Sequence, residues 1–185
     1  MLKKLSWILA FVITATGFLC AQQQATRPSP PANASCELPG GKSITVKYSS
    51  PRMKGRKIFG GLVPYGEVWR TGANEATTFE TTENLVAPGG VNIPAGNYTM
   101  FTLPKVDGWT LIINKHTGEW GIPYKYESEE LARIPMQVKT LSSPVEDFTI
   151  AFDKNATGCT MRLSWETTEA SVTFNTKNSD MPLQK

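Results

Sequence analysis

One short stretch of the chain combines side chains whose chemistry suits ligand binding. Trp69 offers a flat apolar face for a sugar or a peptide, and the forked guanidinium of Arg70 suits a carboxylate or a phosphate. Asn74 can both donate and accept hydrogen bonds, whereas Glu75 accepts them from hydroxyl or ammonium groups. The surrounding residues 52–75 show neither helical nor strand periodicity, which is typical of a functional loop. We therefore predict a ligand-binding site here.

Two further residues extend this candidate site. Arg56 belongs to a basic run that would form an anion-binding patch if it lay beside Arg70. Trp120 would supply a second aromatic wall for a ligand. The alternative interpretation is architectural: the basic run is a solvated loop, Trp120 caps the fold, Trp69 is buried, and Arg70 forms an ion pair with Glu75.

The sequence contains no motif that indicates catalysis. Its single histidine, His116, excludes a multi-histidine zinc site, and no Gly-x-Ser-x-Gly motif accompanies it. No glycine-rich phosphate loop precedes a helix. We predict no catalytic residue, no metal ion and no cofactor. The alternative is a carbohydrate- or peptide-acting hydrolase that uses Glu75 and a second carboxylate such as Glu67 or Glu119.

The N-terminal residues 1–21 have the features of a signal peptide. Two lysines precede an apolar run over residues 5–19, and the small residue Ala21 stands where a signal peptidase would cut. We expect export to the periplasm or the extracellular space, with no transmembrane segment after cleavage. A lipoprotein acylated at Cys20 is the alternative, although bulky residues directly before this cysteine fit lipoprotein processing poorly.

Charge and cysteine content limit the partners and the compartment. The formal net charge of +3 falls to +1 when the two lysines of the leader are removed, so no basic excess indicates a nucleic-acid partner. Cys36 and Cys159 remain after cleavage, in a compartment that permits disulfides. We favour a disulfide between these two cysteines, with two free thiols as the alternative.

The remainder of the chain indicates one all-β domain. Residues 22–42 are rich in Pro and Gln and predict a linker, residues 43–175 a β-sandwich domain, and residues 176–185 a polar tail. The predicted strands cover residues 43–49, 76–82, 97–103, 109–114, 133–140, 145–153, 159–166 and 170–174. About eight short strands without a long helix favour an antiparallel sandwich of jelly-roll or immunoglobulin-like type, with a closed barrel as the alternative.

Several of these segments also resemble a known family. The segments are KYSSPRMKGRKIFGGLVPYGEVWRTGANEATTFE, IPAGNYTMFTLP, WTLIINK, EWG and VEDFTIAF. They resemble a family of exported Bacteroidetes-type proteins that is catalogued as a domain of unknown function, numbered 2911, and the resemblance covers residues 46–174. It implies a secreted β-sandwich, and it brings no reaction, ligand or catalytic residue.

Three functional hypotheses follow from these observations. The first is a non-catalytic binding module for a glycan or another cell-envelope component. The second is the hydrolase described above, and the third is a structural or assembly protein of the envelope that contacts a protein partner. Sandwich folds serve many functions, so the geometry of the site has to decide between them.

Overall fold

The computed structural model describes residues 27–177, which form an all-β fold. The predicted signal peptide and most of the predicted tail lie outside these residues. The strands are β1 (Pro31–Leu38), β2 (Lys42–Ser49), β3 (Thr77–Thr81), β4 (Leu85–Ala87), β5 (Val91–Ile93), β6 (Gly96–Lys105), β7 (Gly108–Asn114), β8 (Glu130–Lys154) and β9 (Gly158–Thr176). Three 3₁₀ turns (Pro39–Gly41, Pro88–Gly90 and Glu127–Glu129) complete the secondary structure. No helix in this part of the chain is long and apolar enough to cross a membrane.

The strands form one antiparallel sheet that folds over itself. Its order is β1-β2-β3-β6-β7-β8-β9-β4-β5, so the sheet has two edges and is not a closed barrel. The sheet folds over along β8. The first part of β8 pairs with β7, and its second part, from Gln137 onward, pairs with β9. The two parts face each other as the layers of a sandwich, which confirms the predicted fold class.

The central hairpin formed by β6 and β7 is covered on both faces. Met100 and Ile113 of this hairpin belong to the main core between the layers, whereas Phe101 and Ile112 point to the opposite face. There they pack against Tyr124, which belongs to the long loop between β7 and β8. This explains why β7 is a near-continuous apolar run and why β6 carries apolar side chains on both of its faces.

The domain begins earlier than the sequence predicts. The prediction that residues 22–42 form a linker is wrong for β1, which pairs with β2 along its whole length. Ala32 and Ala34 are half-buried, and Cys36 and Leu38 are buried, so this strand does contain an alternating inward face. Small side chains and a cysteine made that alternation weak, and the neighbouring prolines suggested a tether.

Two strands are longer than predicted. The segments predicted as separate strands on each side of residue 143 form the single 25-residue strand β8, and β9 likewise joins two predicted strands over 19 residues. Register shifts between Thr140 and Thr149 bend β8 without ending it. Pro135 lies where β8 has β7 as its only ladder partner, in agreement with the predicted edge position.

The two layers are connected through side chains as well as through β8. Cys36 of β1 and Cys159 of β9 form a disulfide with a Cα–Cα distance of 6.5 Å. Tyr48 of β2 contacts the ring of Phe148 edge-on at 5.6 Å, and its hydroxyl accepts a hydrogen bond of 3.0 Å from the backbone N–H of Ile150. These contacts hold β1 and β2 against the long hairpin formed by β8 and β9.

Candidate functional site

The irregular segment between β2 and β3 is anchored to the sheet at its centre. Trp69 exchanges two backbone hydrogen bonds of 2.8 and 2.9 Å with Thr102 of β6. The Thr71 hydroxyl lies 3.1 Å from that of Thr102, and the Thr77 hydroxyl donates to the Thr71 carbonyl at 2.7 Å. Thr71 itself adopts a left-handed conformation with φ 56°. A non-glycine residue keeps this conformation only where its surroundings impose it, so the segment is held in one shape.

Trp69 belongs partly to the core. Its indole stacks on Trp165 at 5.9 Å and contacts Phe148 and Phe59 edge-on at 5.0 and 6.1 Å. Its Nε1 donates a hydrogen bond of 3.1 Å to the carbonyl of Gly72. The residue is half-buried, and its remaining surface lines a groove that is described below.

Asn74 and Glu75 bind residues 27–30, which precede β1 and form the N-terminal arm of the domain. The Asn74 side chain donates to the Ser29 carbonyl at 3.1 Å, and Glu75 accepts two hydrogen bonds of 2.9 and 3.0 Å from Arg27. The expected ion pair between Arg70 and Glu75 is therefore wrong, because Arg27 occupies the carboxylate. Hydrogen bonding to its own backbone N–H and to Arg27 lowers the pKa of Glu75.

The hydrolase hypothesis finds no support at Glu75. A cleft of about 180 Å³ lies beside this residue, and its walls contain Arg27, Lys47 and Tyr48 but no second carboxylate among the described residues. Catalysis by the predicted mechanism needs two carboxyl groups across one cleft. In this position Glu75 fixes the arm against the sheet.

Arg70 stacks on Trp120 instead of pairing with an acid. Its guanidinium carbon lies 5.1 Å from the indole centroid, and Nη1 donates a hydrogen bond of 3.3 Å to the Trp120 carbonyl. Burial lowers the pKa of Arg70, while the charge of Glu75 acts in the opposite direction. Trp120 is 55% exposed, so it does not cap the sandwich. A Cβ atom at Gly121 would clash with the Ala76 Cβ at 2.8 Å and would lie tightly against the Arg70 Cβ at 3.1 Å.

Arg56 is oriented by backbone carbonyls. Its Nε donates to Met53 at 3.0 Å and its Nη2 to Arg52 at 2.6 Å, which leaves Nη1 without a hydrogen bond in the described part of the chain. Arg56 and Arg70 line the same cavity, so the structure brings the predicted basic residue beside the predicted forked donor.

These residues surround a groove with two lobes. The first, the acidic lobe, has a volume of about 420 Å³, and the second, the arginine lobe, about 360 Å³. Leu62, Val63, Trp69 and Ile122 line both lobes and form a shared wall. The acidic lobe adds Pro64, Glu67, Val68, Pro123, Tyr124 and Glu127. The arginine lobe adds Ser29, Pro51, Arg56, Arg70, Gly72, Ala73 and Trp165.

Exposed apolar side chains concentrate around the groove. Among the described residues six large apolar side chains are exposed. Four of them belong to the two loops that form the groove, one between β2 and β3 and the other between β7 and β8. Leu62 and Ile122 line it directly and are 47% and 42% exposed. Tyr65 and Trp120 lie on the same loops. Such clustering around a concave surface is typical of a binding site.

The sequence interpretation missed the apolar walls of this site. Leu62 and Ile122 are separated by 60 positions and follow no periodic pattern, so nothing local connects them. The one available signal was that Leu62-Val63-Pro64 places consecutive apolar residues directly after two glycines, in a segment without strand periodicity. Glu67, considered only as a catalytic acid, lines the acidic lobe.

A separate cluster surrounds His116. Its ring stacks on Tyr126 at 4.2 Å, and Nδ1 lies 3.2 Å from a carboxylate oxygen of Glu129. The side chain of Glu119 is buried, and neither of its carboxylate oxygens has a hydrogen-bond partner within residues 27–177. The His116 Nε2 atom lies 3.9 Å from one of these oxygens. In the described part of the chain no three His, Cys, Asp or Glu residues are arranged to hold a metal ion.

The fold and the groove together define an antiparallel β-sandwich protein with an amphipathic cleft between two loops. The chain belongs to the family described as Protein of unknown function (DUF2911), whose model matches residues 29–174. This match confirms the family number inferred from the sequence motifs, and it begins before β1. Neither the curated proteins nor the solved structures contain a match to the chain.

Proposed function

We propose that this protein is an exported, non-catalytic binding module and that the two-lobed groove holds its ligand, a glycan or another cell-envelope component. The observation that supports this proposal is the concentration of exposed apolar side chains around one concave surface. Leu62 and Ile122 lose contact with water only when something covers them, and covering apolar surface is the dominant favourable contribution to association.

The rigidity of the groove supports binding as its role. Trp69 is fixed by backbone pairing to β6 and by its aromatic neighbours, and Arg70 is fixed by its stacking on Trp120. A site that is already formed loses little conformational entropy when a ligand binds. A ligand of modest size could therefore bind with useful affinity.

Export is supported by two independent features. Two lysines followed by an apolar run begin the chain, in the pattern of a signal peptide. The Cys36–Cys159 disulfide lies within the folded domain, and such bonds persist mainly in oxidising compartments outside the cytosol. An envelope or extracellular ligand is consistent with that location.

A ligand screen with matched variants tests the proposal. Thermal unfolding of the purified protein would be followed with oligosaccharides, cell-wall fragments, short peptides and lipids. Ile122→Lys places a charge in the shared wall, and Val138→Lys is the control because Val138 is also 42% exposed but lies outside the groove. A ligand at about a hundred times its Kd adds roughly 2.7 kcal/mol to stability.

Loss of the shift in the Ile122 variant, with retention in the Val138 variant, is the expected result. The proposal is refuted if no compound shifts the unfolding midpoint, or if both variants lose the shift equally. Intrinsic fluorescence gives a second readout, because the Trp69 indole lines both lobes and would respond to a bound ligand.

A further inference from the structure

We infer that the ligand of the groove is a short apolar peptide with free ends, whose terminal carboxylate lies in the arginine lobe and whose terminal ammonium lies in the acidic lobe. This inference rests on the proposed function, and it adds the chemical class and the orientation of the ligand. Its basis is the opposite charge of the two lobes on either side of one apolar wall.

The arginine lobe is built for an anionic group. Arg56 and Arg70 both line it, and no Asp or Glu among residues 27–177 belongs to its lining. Arg56 retains a free Nη1, and Arg70 makes one hydrogen bond of 3.3 Å within the described residues. Glu75, whose charge acts on Arg70, is already held by Arg27. A carboxylate would supply acceptors for these two guanidinium groups, of which Arg70 is already partly desolvated by burial.

The acidic lobe presents the opposite charge. Glu67 and Glu127 both line it, and within residues 27–177 neither carboxylate forms an ion pair or accepts a hydrogen bond from another residue. The charge of Glu127 does raise the pKa of Arg133, but the forked donor of that arginine is bound to Glu130. Two carboxylates with unused acceptors favour an ammonium group or hydroxyl groups.

The shared wall selects between ligand classes. Leu62, Val63 and Ile122 present aliphatic surface where the lobes meet, so the middle of the ligand has to be apolar. A neutral glycan could stack on Trp69, but it would leave both arginines without an anion and would place hydroxyl groups against the aliphatic part of this wall. A fatty acid would satisfy the arginine lobe but leave the acidic lobe without a donor. An apolar peptide with free ends supplies all three parts.

The test compares one tripeptide in four end-group forms. Tri-leucine would be titrated as the free peptide, the C-terminal amide, the N-acetyl acid and the doubly blocked form, with Kd measured by calorimetry. We expect the amide to bind at least tenfold more weakly than the free peptide, because a charge-assisted interaction is lost. The N-acetyl form should bind several-fold more weakly. Octanoate and octyl phosphate represent anions from other sources.

Arginine variants then locate the carboxylate. In Arg70→Gln and in Arg56→Gln, the acid and amide forms should bind with nearly equal affinity. Arg52→Gln is the matched control, because Arg52 is an exposed neighbour that pairs with Asp147 and does not line the groove. It should preserve the full acid preference. Glu67→Gln should remove the preference for a free amino end and leave the preference for the acid.

The outcomes separate this inference from the proposed function. Equal Kd values for the acid and amide forms in the unaltered protein refute the peptide orientation. Tighter binding of octanoate or octyl phosphate than of tri-leucine, without sensitivity to Glu67→Gln, refutes the peptide class. A glycan that binds in the groove and is lost in Ile122→Lys, with no peptide binding, refutes this inference and supports the proposed function. Failure of every compound refutes both.

Discussion

Replacing Arg70 with Ala tests whether this residue is held by Trp120 or by an acid. The Arg70 guanidinium forms a cation–π contact with the exposed Trp120 indole at 5.1 Å. Cation–π contacts at exposed sites contribute about 0.5–1 kcal/mol. The hydrogen bond to the Trp120 carbonyl is long, at 3.3 Å, and contributes about 0.5 kcal/mol at the lower end of the usual range. We therefore expect Arg70→Ala to lower the free energy of unfolding by about 1–1.5 kcal/mol.

The alternative interpretation gives a clearly different magnitude. If Arg70 were the partner of a buried Glu75, its removal would leave an uncompensated charge and cost about 3–5 kcal/mol. In the structure Glu75 is 54% exposed at its side chain and bound to Arg27, so it keeps its partner in the variant. Urea denaturation with linear extrapolation resolves this difference. Arg52→Ala serves as the control, because it removes an exposed arginine and its ion pair.

A double-mutant cycle identifies the partner directly. The coupling free energy between Arg70→Ala and Trp120→Ala should be about 0.5–1 kcal/mol, because the stacking contact requires both side chains. The coupling free energy between Arg70→Ala and Glu75→Ala should be smaller, because these two residues interact only by Coulombic attraction and form no hydrogen bond with each other in the described residues. A loss above about 3 kcal/mol in the single variant, with strong coupling to Glu75, would contradict the geometry described above.

Two further predictions concern the fold. Replacing both Cys36 and Cys159 with Ser should lower the free energy of unfolding by about 2–5 kcal/mol, because the disulfide closes a loop with a sequence separation of 123. Chemical denaturation measures this loss, and an unchanged unfolding midpoint would contradict the prediction. Burial raises the pKa of Glu169, but hydrogen bonds from Lys139 and Ser164 and the charges of Lys139 and Arg162 together lower it by more, so its net pKa lies below the ordinary value of 4.5. The folded state therefore gains stability from Glu169 above pH 4.5 and loses it as the pH falls through the lower folded pKa. Glu169→Gln should flatten this acid limb in a pH series of unfolding midpoints, and an identical limb in both proteins would refute the assignment.

The strands could be predicted from the sequence because their signals are local. Along β8 and β9, alternating apolar residues such as Phe148 and Ile150 define an inner face over a few positions, and this pattern needs no knowledge of the partner strand. The same logic failed for β1. Its inner face consists of two alanines before Cys36 and Leu38, and small side chains produce little contrast between inside and outside.

The site could be predicted only in part. Trp69, Arg70 and Arg56 were recognised by their chemical types, and the structure places all three at the groove. Asn74 and Glu75 have equally suitable types, yet they hold the N-terminal arm. The chemical type of a side chain limits what it can bind, but the fold determines which partner lies next to it.

The all-β class and the family number could be inferred from the sequence alone, because both depend on residue type or on short-range pattern, whereas the Cys36–Cys159 pairing remained one of two alternatives until the fold brought the cysteines together. Only the tertiary structure decided that Leu62 and Ile122 form one wall, since two loops 60 positions apart meet there through the folding of the sheet. It also decided that Arg27 binds Glu75 and thereby leaves Arg70 without an acid partner in the arginine lobe. Contacts between distant segments depend on the packing of the whole domain, and no local pattern records them.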